Sequence, residues 1–419
     1  MSNMLLISVL SFVSLMSHLF VRRTLFSPGV VHGFVWLLVS LGYVTFQGEF
    51  NAISPATLYA LALGIGAFSV GLHAAARSNQ VGSFRSDART VRFPVPAMIV
   101  LVSAIGLCMM LSKVVESMAA VDFTSWVGGS SSWYSHLRGN VTTTLKGSFG
   151  IASYILNFSF AGTAYLILYY RGLLRTQWLW PSIALSLGFA LLSTGRTFLL
   201  LLGCIILGSA IPANGGRRLA NAWLLPVVVG LPLLLATWLS GRLDHVEGGT
   251  LLPRDASLQN ALVLHAKLYF LSAVAAFDHL VNLGEPGTGG SNIFRTPLAV
   301  LRALGLPVEV PELIQPYVSI PFVTNTYTAF SPYYRDFGLF GVGFFMLLLG
   351  ALHGWIFRQM KTGMPMIVVA NALLLYALLM QFFQDQYFSL MSQWIQILGW
   401  TYVFNKLQPL PGILNRDRP

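Results

Sequence analysis

Two short stretches of this sequence bring together side chains that can do chemistry. The first is Ser193-Thr194-Gly195-Arg196-Thr197, which places an arginine between two apolar runs. A permanent charge near apolar depth is costly, and it usually has a partner or a ligand. The guanidinium fork suits phosphate oxygens, so Arg196 is a candidate anion-binding group. Its bland alternative is an arginine that snorkels to the membrane boundary. The second stretch, Asn325-Thr326-Tyr327-Thr328-Ala329-Phe330-Ser331-Pro332-Tyr333-Tyr334-Arg335-Asp336-Phe337-Gly338, crowds rings, an amide, hydroxyls and an Arg-Asp pair at the mouth of an apolar run. Asp336 sits where a helix would start, a position that favours an acid on dipole grounds alone.

Further cations lie in the segment of about 241–335, which holds Arg242, Arg254, Lys267, Arg295 and Arg302 besides Arg335. Long ordered connections usually serve a function. Here Asp255 is placed to cap a helix over about 257–283. On that helix Lys267, Phe270, Leu271, Val274 and Asp278 share one stripe, which would lie at the membrane surface or lean into the bundle. Gly284 to Pro316, rich in Gly and Pro, reads as irregular. A second long outer segment, 113–148, contains Gly128-Gly129-Ser130-Ser131-Ser132 followed by Trp133, Tyr134, His136 and Arg138.

The elements that must position these groups are membrane helices. Of 419 residues, 55% are apolar and only 9% charged, against about 25% charged in a soluble domain. A water-soluble enzyme, a disordered chain and a disulfide-stapled fold are all excluded, since Cys108 and Cys204 lie inside apolar runs and read as small hydrophobes. Stretches long enough to span fall near 3–21, 30–47, 56–76, 95–112, 149–170, 178–194, 197–213, 221–240, 337–357, 364–384 and 386–405. The expectation is an all-α polytopic bundle of about eleven transmembrane helices, one domain over 1–419, with both long outer segments belonging to it. The first run lacks a preceding basic residue, so it reads as a span and not a cleaved signal peptide.

Alternate loops carry 15 of the 25 basic residues and only Asp87 and Asp417 as acids. The positive-inside rule makes that side cytoplasmic, with the amino terminus outside and the carboxyl terminus inside. The net charge of +11 is then an orientation signal and not a nucleic-acid patch. No Asp or Glu falls inside the assigned spans, where ion-coupled transporters usually bury them; Asp385 falls in an outer turn. His18, His32, His73 and His353 are scattered without metal spacing and read as packed or interfacial. No P-loop and no acidic pair for a nucleotide-sugar is found, which points to chemistry without a nucleotide.

With these features the chain resembles the Wzy-type O-antigen polymerases, the oligosaccharide repeat-unit polymerase family. The resemblance is carried by Ser193-Thr194-Gly195-Arg196-Thr197 opening a span, by Lys267 to Leu280 followed by Gly and Pro, and by Asn325 through Gly338 continuing to Gly350 and Gly354. It covers most of 150–400 in layout. It implies a bacterial inner-membrane glycosyltransferase of GT-C-like fold, active at the periplasmic face. Such an enzyme joins undecaprenyl-pyrophosphate-linked oligosaccharides with inversion and without cofactor or metal, beside a chain-length regulator and a flippase. Without a metal, arginines must stabilise the leaving pyrophosphate. Arg196 and Arg335 come first, with Arg254 and Arg242 next, and Lys267 is a further substrate-binding candidate. Tyr327, Tyr333 and Tyr334 would stack on sugars or bond phosphates, unless they form an interfacial belt. Asp336, Glu247, His245 and His265 are alternative general bases. An O-antigen ligase, a lipid-linked oligosaccharide flippase or other transporter, and a purely structural membrane partner are the competing readings.

Overall fold

A computed structural model describes residues 4–22, 27–46, 48–75, 94–119, 141, 149–169, 176–193, 195–213, 267–284, 287–312, 315–320 and 322–407. Among the described residues the regular structure is helical apart from one hairpin of two three-residue strands. The helices are α1 (Met4–Arg22), α2 (Pro28–Thr45), α3 (Pro55–Ala75), α4 (Val95–Ala119), α5 (Ile151–Tyr169), α6 (Thr176–Leu192), α7 (Arg196–Ala213), α8 (Ser272–Leu283), α9 (Arg295–Ala303), α10 (Ser331–Gln359), α11 (Pro365–Met380) and α12 (Met391–Leu407). Strands β1 (Val318–Ile320) and β2 (Phe322–Thr324) pair antiparallel.

Ten of the eleven expected stretches form helices where hydropathy places them; 221–240 lies outside the described residues. Five helices, α2, α3, α4, α5 and α10, are long and apolar enough to cross a membrane, and α1, α6, α7 and α11 hold shorter apolar runs. A helix is the natural form for such a run, because it satisfies every internal backbone group where no water can. Their ends are set locally. Ser27 accepts from the Val30 amide with Pro28 at the first turn of α2, a favoured start. Gly284 closes α8 in the left-handed region.

The chain divides into two compact units. The first comprises Met1–Gln80, Asp244–Arg358 and Leu374–Ser392. Here α1 lies along α2, and α8 packs on α3. Helices α3 and α10 cross at their glycines. A Cβ on Gly71 would stand 2.0 Å from the Leu347 carbonyl oxygen, and one on Gly350 would stand 2.1 Å from that of Phe68. Without a hydrophobic drive between helices in lipid, close backbone approach at small residues supplies the attraction. Gly350→Val should therefore wedge α3 from α10 and cost more than the roughly 1–3 kcal/mol of ordinary overpacking. Loss of the monodisperse peak on detergent size-exclusion, with Gly399→Val as control in open space, checks this.

The second unit comprises Val81–Leu243, Gln359–Leu373 and Gln393–Pro419. Ser159, Thr163, Ser182 and Ser186 form a wholly buried hydroxyl cluster between α5 and α6, with oxygen separations of 2.8–2.9 Å. Asn157 donates to Gln396 and accepts from Gln393, fastening α5 to α12. These hydroxyl and amide groups pair with one another because hydrocarbon offers no partner.

Three sequence expectations need correction. Gly284–Pro316 is not wholly irregular, since it contains α9; the Gly and Pro around a nine-residue helix hid its short 3.6-residue period. Asp336 is not at a helix start: α10 begins at Ser331, and Asp336 precedes an internal break at Gly338 (φ 62°, ψ −148°), a conformation only glycine adopts cheaply. The expected 257–283 helix is described only from Lys267. Its first five residues form a π turn, Lys267–Leu271, before α8, so its stripe does not keep one helical spacing. Residues Ser272–Phe277 are buried; the segment leans into its unit.

Candidate functional site

The mouth of α10 is built by alternating which residues turn inward. Phe330 enters the bundle, stacked on Trp36 at 5.0 Å and filling the space over Gly64. Tyr333 is wholly buried, stacks on Phe345 and donates to Asp385 Oδ1 at 2.8 Å. Tyr334 packs edge-on to Phe277 and donates to the Val281 carbonyl at 3.4 Å. With these anchors inside, Arg335 falls on the remaining, partly open side. Its guanidinium lies over the Tyr327 ring at 5.2 Å, a favourable seat for a cation. Its Nε has no acceptor, and among the described residues no carboxylate pairs with it. A half-buried guanidinium with donors to spare is suited to an oxyanion.

Tyr327 donates to the Pro316 carbonyl at 3.1 Å. Burial pushes its phenol above the ordinary range, opposed by Arg335, so it is a neutral donor. None of the three tyrosines offers an open ring face: Tyr333 and Tyr334 are structural anchors, and Tyr327 is covered by Arg335. The sugar-stacking role expected of Tyr333 and Tyr334 does not fit this geometry, and neither does an interfacial belt. Sequence reasoning could not separate these because all three share one aromatic run.

Asp336 organises the loop before α9. Its Oδ1 accepts from the Thr288 hydroxyl, from the Asn292 amide nitrogen at 3.2 Å and from Asn292 Nδ2 at 2.8 Å; its Oδ2 accepts from the Ile293 amide at 2.9 Å. The Arg335 carbonyl adds bonds from the Gly287 and Thr288 amides, at 2.8 and 3.3 Å. The carboxylate is therefore filled by donors, and a free general base at Asp336 is a poor fit. Its charge instead locks 287–293 against the mouth.

Lys267 is likewise committed. Its Nζ lies 2.6 and 2.8 Å from the two Glu49 oxygens and 4.4 Å from the Phe46 ring centre. On the same segment Asp278 accepts from the Ser54 amide and hydroxyl at 2.8 and 2.7 Å. Together they hold the α2–α3 connection. Arg295 Nε donates to the Pro311 carbonyl at 2.8 Å, and Arg302 is exposed on α9. Arg196 is the first residue of α7, in the second unit. Arg242, His245, Glu247, Arg254 and His265 lie outside the described residues, as do the Asp255 cap and most of 113–148.

Sequence reading missed a buried polar layer in the first unit. His32 Nδ1 lies 2.8 Å from Gln381 Oε1, and its ring stacks on Phe68 at 4.1 Å. Phe68 also meets His353 edge-on, and His353 Nε2 lies 3.0 Å from the Tyr387 hydroxyl. His18 stacks on His73 at 4.3 Å. The histidines are packed or peripheral as expected, His18, His32 and His353 buried and His73 exposed, but their contacts join positions far apart in the chain. Asp385 is buried in the α11–α12 connection, where it accepts from Tyr333 and from the amides of Tyr387, Phe388 and Ser389 at 3.1–3.2 Å. Burial raises its carboxyl above the ordinary range, against the pull of those bonds. The polar run Gln381-Phe382-Phe383-Gln384-Asp385-Gln386-Tyr387, between apolar runs, was the available signal.

No protein-family model matches the chain, and no solved structure matches it. Among curated proteins, the chain is 28% identical over 207 residues to an O-antigen polymerase of Shigella dysenteriae, a match covering 48% of this chain and 50% of that protein. The chain thus spans about half the length of the curated relative it matches. The resemblance read from the sequence has a named relative of the same kind: over about half its length, this multi-helix membrane chain is similar to an O-antigen polymerase.

Proposed function

We propose that this chain is a membrane glycosyltransferase that joins lipid-linked oligosaccharide repeat units into O-antigen or a related surface polysaccharide. The observation that carries the reading is the similarity to the Shigella dysenteriae O-antigen polymerase, and the half-buried Arg335, seated on Tyr327 with its Nε unpaired among the described residues, is what the geometry adds. The donor is a glycan on undecaprenyl pyrophosphate, and the acceptor is the non-reducing sugar of an incoming unit. The acceptor hydroxyl attacks the anomeric carbon as the bond to the pyrophosphate oxygen breaks, inverting that carbon. The leaving pyrophosphate takes the electron pair, and a base takes the hydroxyl proton. The reaction draws on the pyrophosphate linkage and needs neither nucleotide nor metal.

In this proposal Arg335 stabilises the charge that develops on the leaving group, and Arg196 is a separate candidate to bind phosphate. Arg196 has a second reason to hold an anion. It opens α7, and a cation at a helix N-terminus opposes the macrodipole by about 0.3–1 kcal/mol. A bound phosphate would relieve both the arginine and the free amides. Arg242 and Arg254 are the further candidates to bind pyrophosphate. With the carboxylate of Asp336 filled and Lys267 held by Glu49, proton transfer is assigned to His245, Glu247 or His265. The enzyme lies in the bacterial inner membrane as one transmembrane domain, with 113–148 and 241–335 in the periplasm, the amino terminus outside and the carboxyl terminus inside. A chain-length regulator and a flippase are the proposed partners.

The test is purified protein in lipid vesicles with a polyprenyl-pyrophosphate repeat unit, its products resolved on a gel. The expected result is a ladder of multiples without nucleotide or metal, lost in Arg196→Ala at equal protein level. Glycan transfer to lipid A-core instead of a ladder would mean a ligase. Movement between leaflets without new bonds would mean a transporter.

A further inference from the structure

Helix α9 is amphipathic, and among the described residues nothing covers its apolar side. At 100° per residue, Pro297, Val300, Leu301 and Leu304 fall on one face, and Arg295 and Arg302 fall within 20° of each other on the opposite one. All four apolar residues are exposed, Leu304 at 75%, and no residue of the helix is buried. A nine-residue helix with this surface would expose a contiguous apolar patch to water, which soluble surfaces avoid.

What covers it is indicated by where the helix begins. Phe294, the residue before α9, and Phe337, in the first turns of α10, both border Gly290: a Cβ there would lie 3.0 Å from one ring and 3.3 Å from the other. Phe337 leads into an outward aromatic band on α10. It lies 6.0 Å from Phe345, which meets Phe344, which stacks on Phe340 at 5.7 Å. Phe340 is 73% exposed, and α10 is long and apolar enough to cross a membrane, so that band faces lipid. The exposed face of α9 therefore starts at the edge of a lipid-facing surface, and Asp336 bonds the preceding loop to the same end of α10.

We propose that α9 is an interfacial anchor. It lies in the plane of the leaflet at the Ser331 end of α10, with Pro297, Val300, Leu301 and Leu304 in the acyl boundary and Arg302 among the lipid phosphates. The consequence is positional: the anchor fixes the height of 287–293, and through Asp336 that of Arg335, at the membrane surface. The inference rests on α10 spanning the membrane and not on the polymerase reading, so the two can fail separately.

The test is spin-label accessibility in the full chain, carrying Cys108→Ala and Cys204→Ala, in vesicles of phosphatidylethanolamine and phosphatidylglycerol. Labels are placed at Leu304→Cys, at Arg302→Cys, and at Phe340→Cys as the lipid reference. The expected result is an oxygen-to-nickel-chelate accessibility ratio severalfold higher at position 304 than at 302, approaching that at 340. Equal access of the chelate to 304 and 302 would place the helix in water, and low access of both reagents at 304 would mean that protein covers the face; either overturns the proposal. A second measurement keeps the native cysteines. Trypsin cleavage after Arg302 in vesicles should be slow and should accelerate severalfold in Leu301→Asp/Leu304→Asp; an unchanged rate would also overturn it.

Discussion

On the proposed polymerase function, replacing Arg335 by alanine should lower polymer formation by about 10²–10³-fold, the usual loss when one preorganised donor to a developing oxyanion is removed. The expectation follows from three features of the side chain. Its guanidinium is half-buried, where the charge is poorly screened. It is seated on Tyr327, which orients it. Its Nε has no acceptor among the described residues. Arg335→Lys keeps the charge but loses the fork, so it should fall between the two. Tyr327→Leu removes the seat and leaves the charge, so its defect should be smaller than that of Arg335→Ala. Initial rates in reconstituted vesicles, with thermal unfolding to verify the fold, check the series. A near-normal ladder from folded Arg335→Ala would remove Arg335 from the reaction.

Asp336→Ala should act differently, by unfastening the loop. Its carboxylate receives three nitrogen donors and one hydroxyl from 288–293. Hydrogen bonds to a charged group are worth about 1.5–3 kcal/mol each, and removing the acceptor leaves buried donors unpaired. Because the bonds share one acceptor they do not add, so the expected loss is about 3 kcal/mol or more. Protease sensitivity around Gly284–Phe294 should rise, and the melting temperature should fall. Asp336→Asn retains one acceptor oxygen but brings an amide donor facing other donors, so it should lie between. Activity should track stability across this pair. A fully stable Asp336→Asn without activity would instead return Asp336 to proton transfer.

The division between these two neighbours could not be read from the sequence. Arg335 and Asp336 are adjacent, both ionisable and both at the mouth of an apolar run. Only the inward turn of Tyr333 and Tyr334 leaves Arg335 outside, and only the return of 287–293 fills Asp336. Lys267 is a similar case: on a helical wheel it is a free cation, but Glu49, 218 positions earlier, claims it.

What the sequence determined by itself is where the apolar helices fall among the described residues, and which stretches carry the candidate chemistry. Runs of apolar residues must become helices in lipid because the backbone has no other partner there, and this is a local rule legible residue by residue. The interruption of those runs by Arg196 and by the Tyr-Tyr-Arg-Asp stretch was legible for the same reason, since charge at apolar depth stands out. The tertiary structure decided which polar groups meet. His32 finds Gln381 across 349 positions. Asp385 becomes an anchor for Tyr333, and Gly71 and Gly350 let two backbones touch. Hydropathy records how deep a residue sits but not which neighbour it faces, and in a bundle the faces are set by the crossing of helices far apart in the chain.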